Sequence, residues 1–230
     1  MDGIAAWASQ LQWGRLTELL ITAAAALLCI SVHESCHGLS AWILGDPTAR
    51  RQGRITLNPL KHIDPAGLFM MVVARFGWAK PVPINPGYFK NPRAGMAVTA
   101  LAGPVSNLLL CVLAAVGYTV SIFYALYFQS QFLQTVSEFC DLVFILSAGL
   151  AVFNLLPIPP LDGSKVLFSV LPDEMYWKLM RYERYGMAAL MVLLLTGVLD
   201  IPLNYLRESL FELLWPIAEM TIELLMTIHA

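Results

Sequence analysis

Charge is what this sequence has least of. Only 13% of its 230 residues are Asp, Glu, Lys or Arg, while 58% are hydrophobic. A soluble domain carries about a quarter charged residues, so a water-solvated globule is excluded and a membrane protein follows. The formal net charge is only -2. With no basic face and no interleaving of basic and aromatic residues, nucleic acid is excluded as a partner. Cysteine is scarce too: Cys29, Cys36, Cys111 and Cys140 all fall inside apolar runs without paired spacing. That excludes a disulfide framework and a cysteine-type zinc site. Internal repeats and low-complexity linkers are missing, which makes residues 1–230 one integral membrane domain. The N-terminus has no basic region and no small-residue cleavage site ahead of the first apolar run, so that run is read as part of the mature protein.

What is present is a series of apolar runs. Residues 1–15 are amphipathic, with Trp7 and Trp13 placed for a membrane interface. A first span is predicted from Leu16 to Leu44, ending at Gly45-Asp46-Pro47. Ala66–Phe76 is too short to cross and reads as a re-entrant piece. Further apolar segments follow at Ala94–Phe128, Phe139–Leu156, Gly186–Ile201 and Leu206–Ile228, the last punctuated by Glu208, Glu212, Glu219 and Glu223. Arg54–Asn58 alternates like a strand, and the closely spaced prolines of Lys80–Asn85 permit only an extended edge. The expected fold is therefore an α-helical integral membrane protein with about five to six membrane segments, one of them short and re-entrant, and small β-strands on the cytoplasmic side. Arg50, Arg51, Arg54, Lys61, Lys80, Lys90 and Arg93 lie in one inter-span region and Lys165, Lys178, Arg181 and Arg184 in another, whereas Gln129–Glu138 has no basic residue. By the positive-inside rule both basic regions face the cytoplasm.

Inside the first span stands His33-Glu34-Ser35-Cys36-His37. On a helix, positions i and i+4 share a face, so the two imidazoles can meet one cation with Glu34 beside them. Burying three such groups in hydrocarbon is costly unless they are paired or metallated. A catalytic zinc ion, with Glu34 as the base that takes a proton from water, accounts for all three. Cys36 lies about 100° round the helix from His37 and reads as a packing residue. Two histidines leave zinc one protein ligand short. Beyond His62 and His229, the stronger candidate is Asp162, which follows the proline-broken run Asn154-Leu155-Leu156-Pro157-Ile158-Pro159-Pro160-Leu161.

Three motifs in this order, His33–His37, Gly103-Pro104-Val105-Ser106-Asn107 and Asn154–Gly163, resemble the site-2 protease family of intramembrane zinc metalloproteases. The resemblance covers residues from about 30 to 165. It implies one Zn²⁺ held by His33, His37 and Asp162, Glu34 as general acid and base, and Asn107 beside the active site, holding the substrate backbone or the oxyanion. The substrate it implies is a membrane protein with a transmembrane segment, cut within the lipid bilayer of a bacterial or archaeal cell, with the active site towards the cytoplasm. The chain has no room for the PDZ or CBS domains of larger relatives, and no residue pattern sets an oligomeric state. His62 and Asp64 are expected to be either a polar gate or a surface turn. A non-catalytic membrane protein that binds or transports a metal through the same residues is the alternative, since ion sites also form at broken helices.

Overall fold

Helices form wherever the apolar runs are long and are bounded by residues that satisfy helix ends. The computed structural model describes residues 13–74 and 77–229. The amphipathic reading of residues 1–15 lies mostly outside them, as do the last two residues of the Ala66–Phe76 reading. From Trp13 to Ile43 the chain is one helix, α1, which ends at Gly45 with φ +108°. A short helix, α2 (Thr48–Arg51), follows, and then α3 (Pro65–Ala74). The longest helix, α4 (Pro92–Phe128), starts with Asn91 accepting from the Ala94 N–H and with Pro92 at its first position, where the missing donor costs nothing. It stops at Gln129 in the left-handed region. Ser130 then caps α5 (Gln131–Asn154) by accepting from the Leu133 N–H. After the turn at Pro157–Leu161 come α6 (Asp162–Ser169), α7 (Asp173–Leu195) and α8 (Asp200–His229).

Helix α4 is the hub and contacts α1, α5, α6 and α8. Small side chains let it approach closely: Ala25 and Cys29 of α1, Ala114 of α4 and Val143 of α5 form one buried cluster. Between membrane helices, where hydrocarbon offers no hydrophobic drive, close packing of small residues and interhelical hydrogen bonds hold the bundle. Cys29 contributes both. It lies against the Val143 carbonyl at 3.7 Å and accepts from the Ser147 hydroxyl at 3.1 Å, the packing role expected of a buried cysteine.

Two expectations need correction. Three helices, α1, α4 and α5, are long and apolar enough to cross a membrane, and a fourth span exists only if Tyr185–Leu195 and Asp200–His229 are taken together across an 86° bend. Among the described residues there are thus three or four candidate spans, fewer than the five to six membrane segments expected. The two C-terminal apolar stretches count separately in sequence, but the break at residues 196–199, with Gly197 at φ +69°, folds them into one bent pair. At ten residues, α3 is about 15 Å long, half of a hydrocarbon core of about 30 Å.

The second correction concerns the strands. Among the described residues there is none, only an isolated antiparallel bridge between Ile63 and Ala79. Side chains claim the backbone groups that a ladder would need. The Thr56 carbonyl accepts from the Ser35 hydroxyl at 2.6 Å and pairs with His62 Nε2 at 2.9 Å, and the Thr56 N–H donates back to Ser35 at 3.2 Å. Lys80–Asn85 belongs to no strand. Its Asn85 N–H donates to the buried Asp46 carboxylate at 2.7 Å, and its Lys80 N–H donates to the His62 carbonyl at 2.8 Å. His62 is thus a buried tie within the loops, and Asp64 forms a surface turn, accepting from the Ala66 N–H and the Trp78 indole. The Ala66 bond foremost holds the Asp64 carboxyl below its usual range, with the indole adding to it.

Candidate metal centre

The one-turn repeat of α1 brings His33 and His37 together, with Nε2 atoms 3.0 Å apart. The end of α5 and the proline turn carry Asp162 to the same point. Its Oδ2 lies 3.1 Å from each Nε2. Ligands of a tetrahedral zinc at about 2.05 Å would stand about 3.3 Å apart, so the three atoms already sit close to the spacing one ion would impose. All three residues are buried, and among the described residues they make up the group able to hold a metal. Neutral imidazoles and a carboxylate are a donor set that zinc accepts.

Two glycines make this convergence possible. A Cβ at Gly103 would lie 2.5 Å from His37 Nε2 and 2.6 Å from the His33 ring, so α4 can pass behind the imidazoles only without a side chain there. A Cβ at Gly163 would lie 2.2 Å from the Leu155 carbonyl oxygen, and its absence lets α6 fold back directly against the end of α5. The sequence showed Gly103 as part of a Gly-Pro pair and gave no hint of what it faced.

The ring orientation of His37 is fixed from behind. Its Nδ1–H donates to the Thr99 carbonyl at 2.7 Å, leaving the Nε2 lone pair for the site. A zinc-bound histidine commonly has its other ring nitrogen secured in this way. His33 Nδ1 instead faces the Asn107 side chain at 3.2 Å. Asn107 is wholly buried, and its amide lies against the edge of the His33 ring opposite Nε2.

In front of the three residues lies a cavity of about 170 Å³. Glu34 lines it, half-buried, together with Asn154, Lys165 and the extended segment through Pro81, Val82 and Ile84. The Glu34 carboxylate accepts from the Val82 N–H at 3.1 Å. That segment is held by Arg54, which is buried and donates through Nη2 to the Lys80 and Pro81 carbonyls at 2.6 and 3.3 Å. Lys165 Nζ stands 3.8 Å from the other oxygen of Asp162. Sequence reasoning singled out none of Asn154, Lys165, Arg54 and Val82 for the site. The first two stand in or just after the motif that contains Asp162, which was the available signal. The last two act through contacts that no spacing encodes.

Apolar helices, a buried group of three metal donors and a carboxylate lining the same cavity define an integral membrane metalloprotein equipped for hydrolysis. The chain belongs to peptidase family M50, the site-2 protease family, whose model matches residues 21–198. It is similar to YwhC of Bacillus subtilis (strain 168), described as a candidate zinc metalloprotease, with 38% identity over 81% of this chain and 87% of the relative. It is also similar to Rip2 of Mycolicibacterium smegmatis, described in the same terms, with 31% identity over 79% of this chain and 69% of the relative. No solved structure gives a significant match. Family membership makes this protein a zinc metalloprotease.

Proposed function

We propose that this metalloprotease hydrolyses peptide bonds in or beside transmembrane segments of other membrane proteins, in a bacterial or archaeal cell membrane, from a site that opens towards the cytoplasm. The observation that supports this most directly is the burial of His33, His37 and Asp162 among apolar helices, with a small cavity in front of them. The cytoplasmic orientation rests on the basic residues of the loops bordering that cavity. Residues 1–230 act as one domain in this reading.

In the proposed mechanism His33, His37 and Asp162 would hold one zinc ion. When bound, zinc supplies the Lewis acidity that polarises a scissile carbonyl. Glu34 takes a proton from the attacking water as its oxygen bonds to the carbonyl carbon, and returns that proton to the departing amide nitrogen as the C–N bond breaks. The products are a carboxylic acid and an amine, which exchange a proton to leave as carboxylate and ammonium. The Val82 N–H orients the Glu34 carboxylate through the oxygen it binds, leaving the other free for the proton. In an intact helix about 10 Å across the peptide carbonyls are held by the helix's own hydrogen bonds, and one of them must be freed to reach the site. Local unwinding of the substrate is therefore required before cleavage. Arg54–Asn58 offers substrate no free edge at Thr56, whose backbone is already bonded by Ser35 and His62.

The test is Glu34→Gln in proteoliposomes containing transmembrane peptides as substrates. The amide keeps the shape of the side chain but cannot accept the proton, so cleavage falls by about 10²–10⁴-fold while bound zinc is unchanged. Wild-type turnover in the zinc-loaded variant would remove Glu34 from the mechanism. If no transmembrane peptide is cut while a soluble peptide is, the membrane-substrate reading fails.

A further inference from the structure

Thr99, Gly103 and Asn107 follow one another at four-residue intervals on α4, so they form a single stripe. Each meets the histidine pair: Thr99 holds His37 Nδ1, Gly103 makes room for both rings, and Asn107 faces His33 Nδ1. The two histidines are thus oriented from the same helix, one by a backbone carbonyl and the other by a side-chain amide.

The amide carries an inconsistency that a metal resolves. As arranged, Asn107 Nδ2 points at His33 Nδ1 at 3.2 Å, while Asn107 Oδ1 is buried with no hydrogen-bond partner. A buried acceptor left unpaired is destabilising. An imidazole that offers its Nε2 lone pair to a cation must carry its proton on Nδ1, and an amide NH₂ facing that proton sets donor against donor. A half-turn of the Asn107 amide exchanges two atoms of nearly equal size, turns the carbonyl oxygen onto that proton and moves the NH₂ to the place Oδ1 held. Oδ1 then accepts from His33 Nδ1–H.

We propose that Asn107 is a positioning residue for the metal ligand His33, accepting a hydrogen bond from its Nδ1–H through Oδ1 and so presenting Nε2 to the site. The role rests on the reading of His33, His37 and Asp162 as the zinc ligands. It replaces contact with substrate or oxyanion, for which Asn107 would need access to the cavity. Asn107 acts on the ring and not on the reacting atoms.

Aspartate and leucine at position 107 separate acceptor, donor and packing roles. Aspartate has nearly the same shape and can only accept, whereas leucine fills the volume and does neither. Zinc affinity is measured on the full chain in detergent by competition with a chelator, with His37→Ala as the control for the ligand set. Asn107→Leu is expected to weaken zinc binding by about 10–100-fold, and Asn107→Asp to bind zinc at least as tightly as wild type. Leucine binding zinc within about twofold of wild type, or aspartate losing as much as leucine, would overturn the proposal. If His37→Ala binds zinc as wild type does, the ligand reading itself has failed, which is a distinct result. Should the aspartate variant not fold, nitrogen-15 spectra of zinc-loaded wild type with labelled histidine decide the matter. The proposal requires the His33 proton on Nδ1 and the metal on Nε2, and the reverse arrangement contradicts it.

Discussion

The site has two sides built in opposite ways. The wall, formed by α1, α4 and the start of α6, is helical. Its backbone is satisfied by its own helices, so side chains are free to converge, and two imidazoles and a carboxylate meet within 3.1 Å. The cap, formed by the chain between residues 46 and 91, has only short helical pieces, α2 and α3 among them, and no strand among its described residues. There the relation is inverted, because side chains from one place satisfy backbone groups from another: Asp46 holds Asn85, Ser35 and His62 hold Thr56, and Arg54 holds Lys80 and Pro81. The difference suggests a division of labour in which the wall sets where a metal binds and the cap sets the base beside it. Glu34 belongs to both, since it projects from α1 and is held by Val82 of the cap.

Changes to the wall should therefore cost metal, and changes to the cap should cost turnover alone. The largest effect is expected for Gly103→Ala. Its methyl group would sit within 2.6 Å of both imidazoles with helix backbone behind it, so the rings must move and zinc binding should fall by more than the about 10–100-fold that an outer hydrogen bond costs. Zinc analysis of the purified variant checks this, and full occupancy would show that α4 does not shape the site. A smaller and different effect is expected for Arg54→Met, which keeps the apolar stem but loses both bonds to the segment through Val82. Cleavage should fall about tenfold, the scale of a charged hydrogen bond worth ~1.5 kcal/mol, with zinc content unchanged and with Arg54→Lys intermediate. Loss of zinc in Arg54→Met would erase the distinction between wall and cap.

The wall was largely legible in the sequence and the cap was not, for a physical reason. Helical periodicity is local, so His33 and His37 were visible as one face from spacing alone, and the prolines after Asn154 marked where a carboxylate could leave the helix. The cap depends on pairings between residues far apart in the chain. The burial of Arg54–Asn58 falls off along the segment instead of alternating: Arg54 is buried, Ile55 packs beneath Gly38, Thr56 is half-buried, and Leu57 and Asn58 are exposed. It reflects one segment docking on α1 rather than a strand with a neighbour, and periodicity cannot tell these apart. The span count was only partly legible, because Gly186–Ile201 and Leu206–Ile228 are each apolar enough to suggest a segment, whereas the helices there qualify as a candidate span only when taken together across the bend at residues 196–199. Asn107 was placed near the site by its motif, but its orientation towards a ring nitrogen was not there to be read.

The most direct test of the metal centre is zinc X-ray absorption on the purified protein, wild type beside Asp162→Ala. The account predicts a first shell of nitrogen and oxygen only, with two imidazoles, and a loss of zinc in the variant. A sulfur in the first shell, which would bring in Cys36 beside His37, or full zinc occupancy without the Asp162 carboxylate, would contradict it.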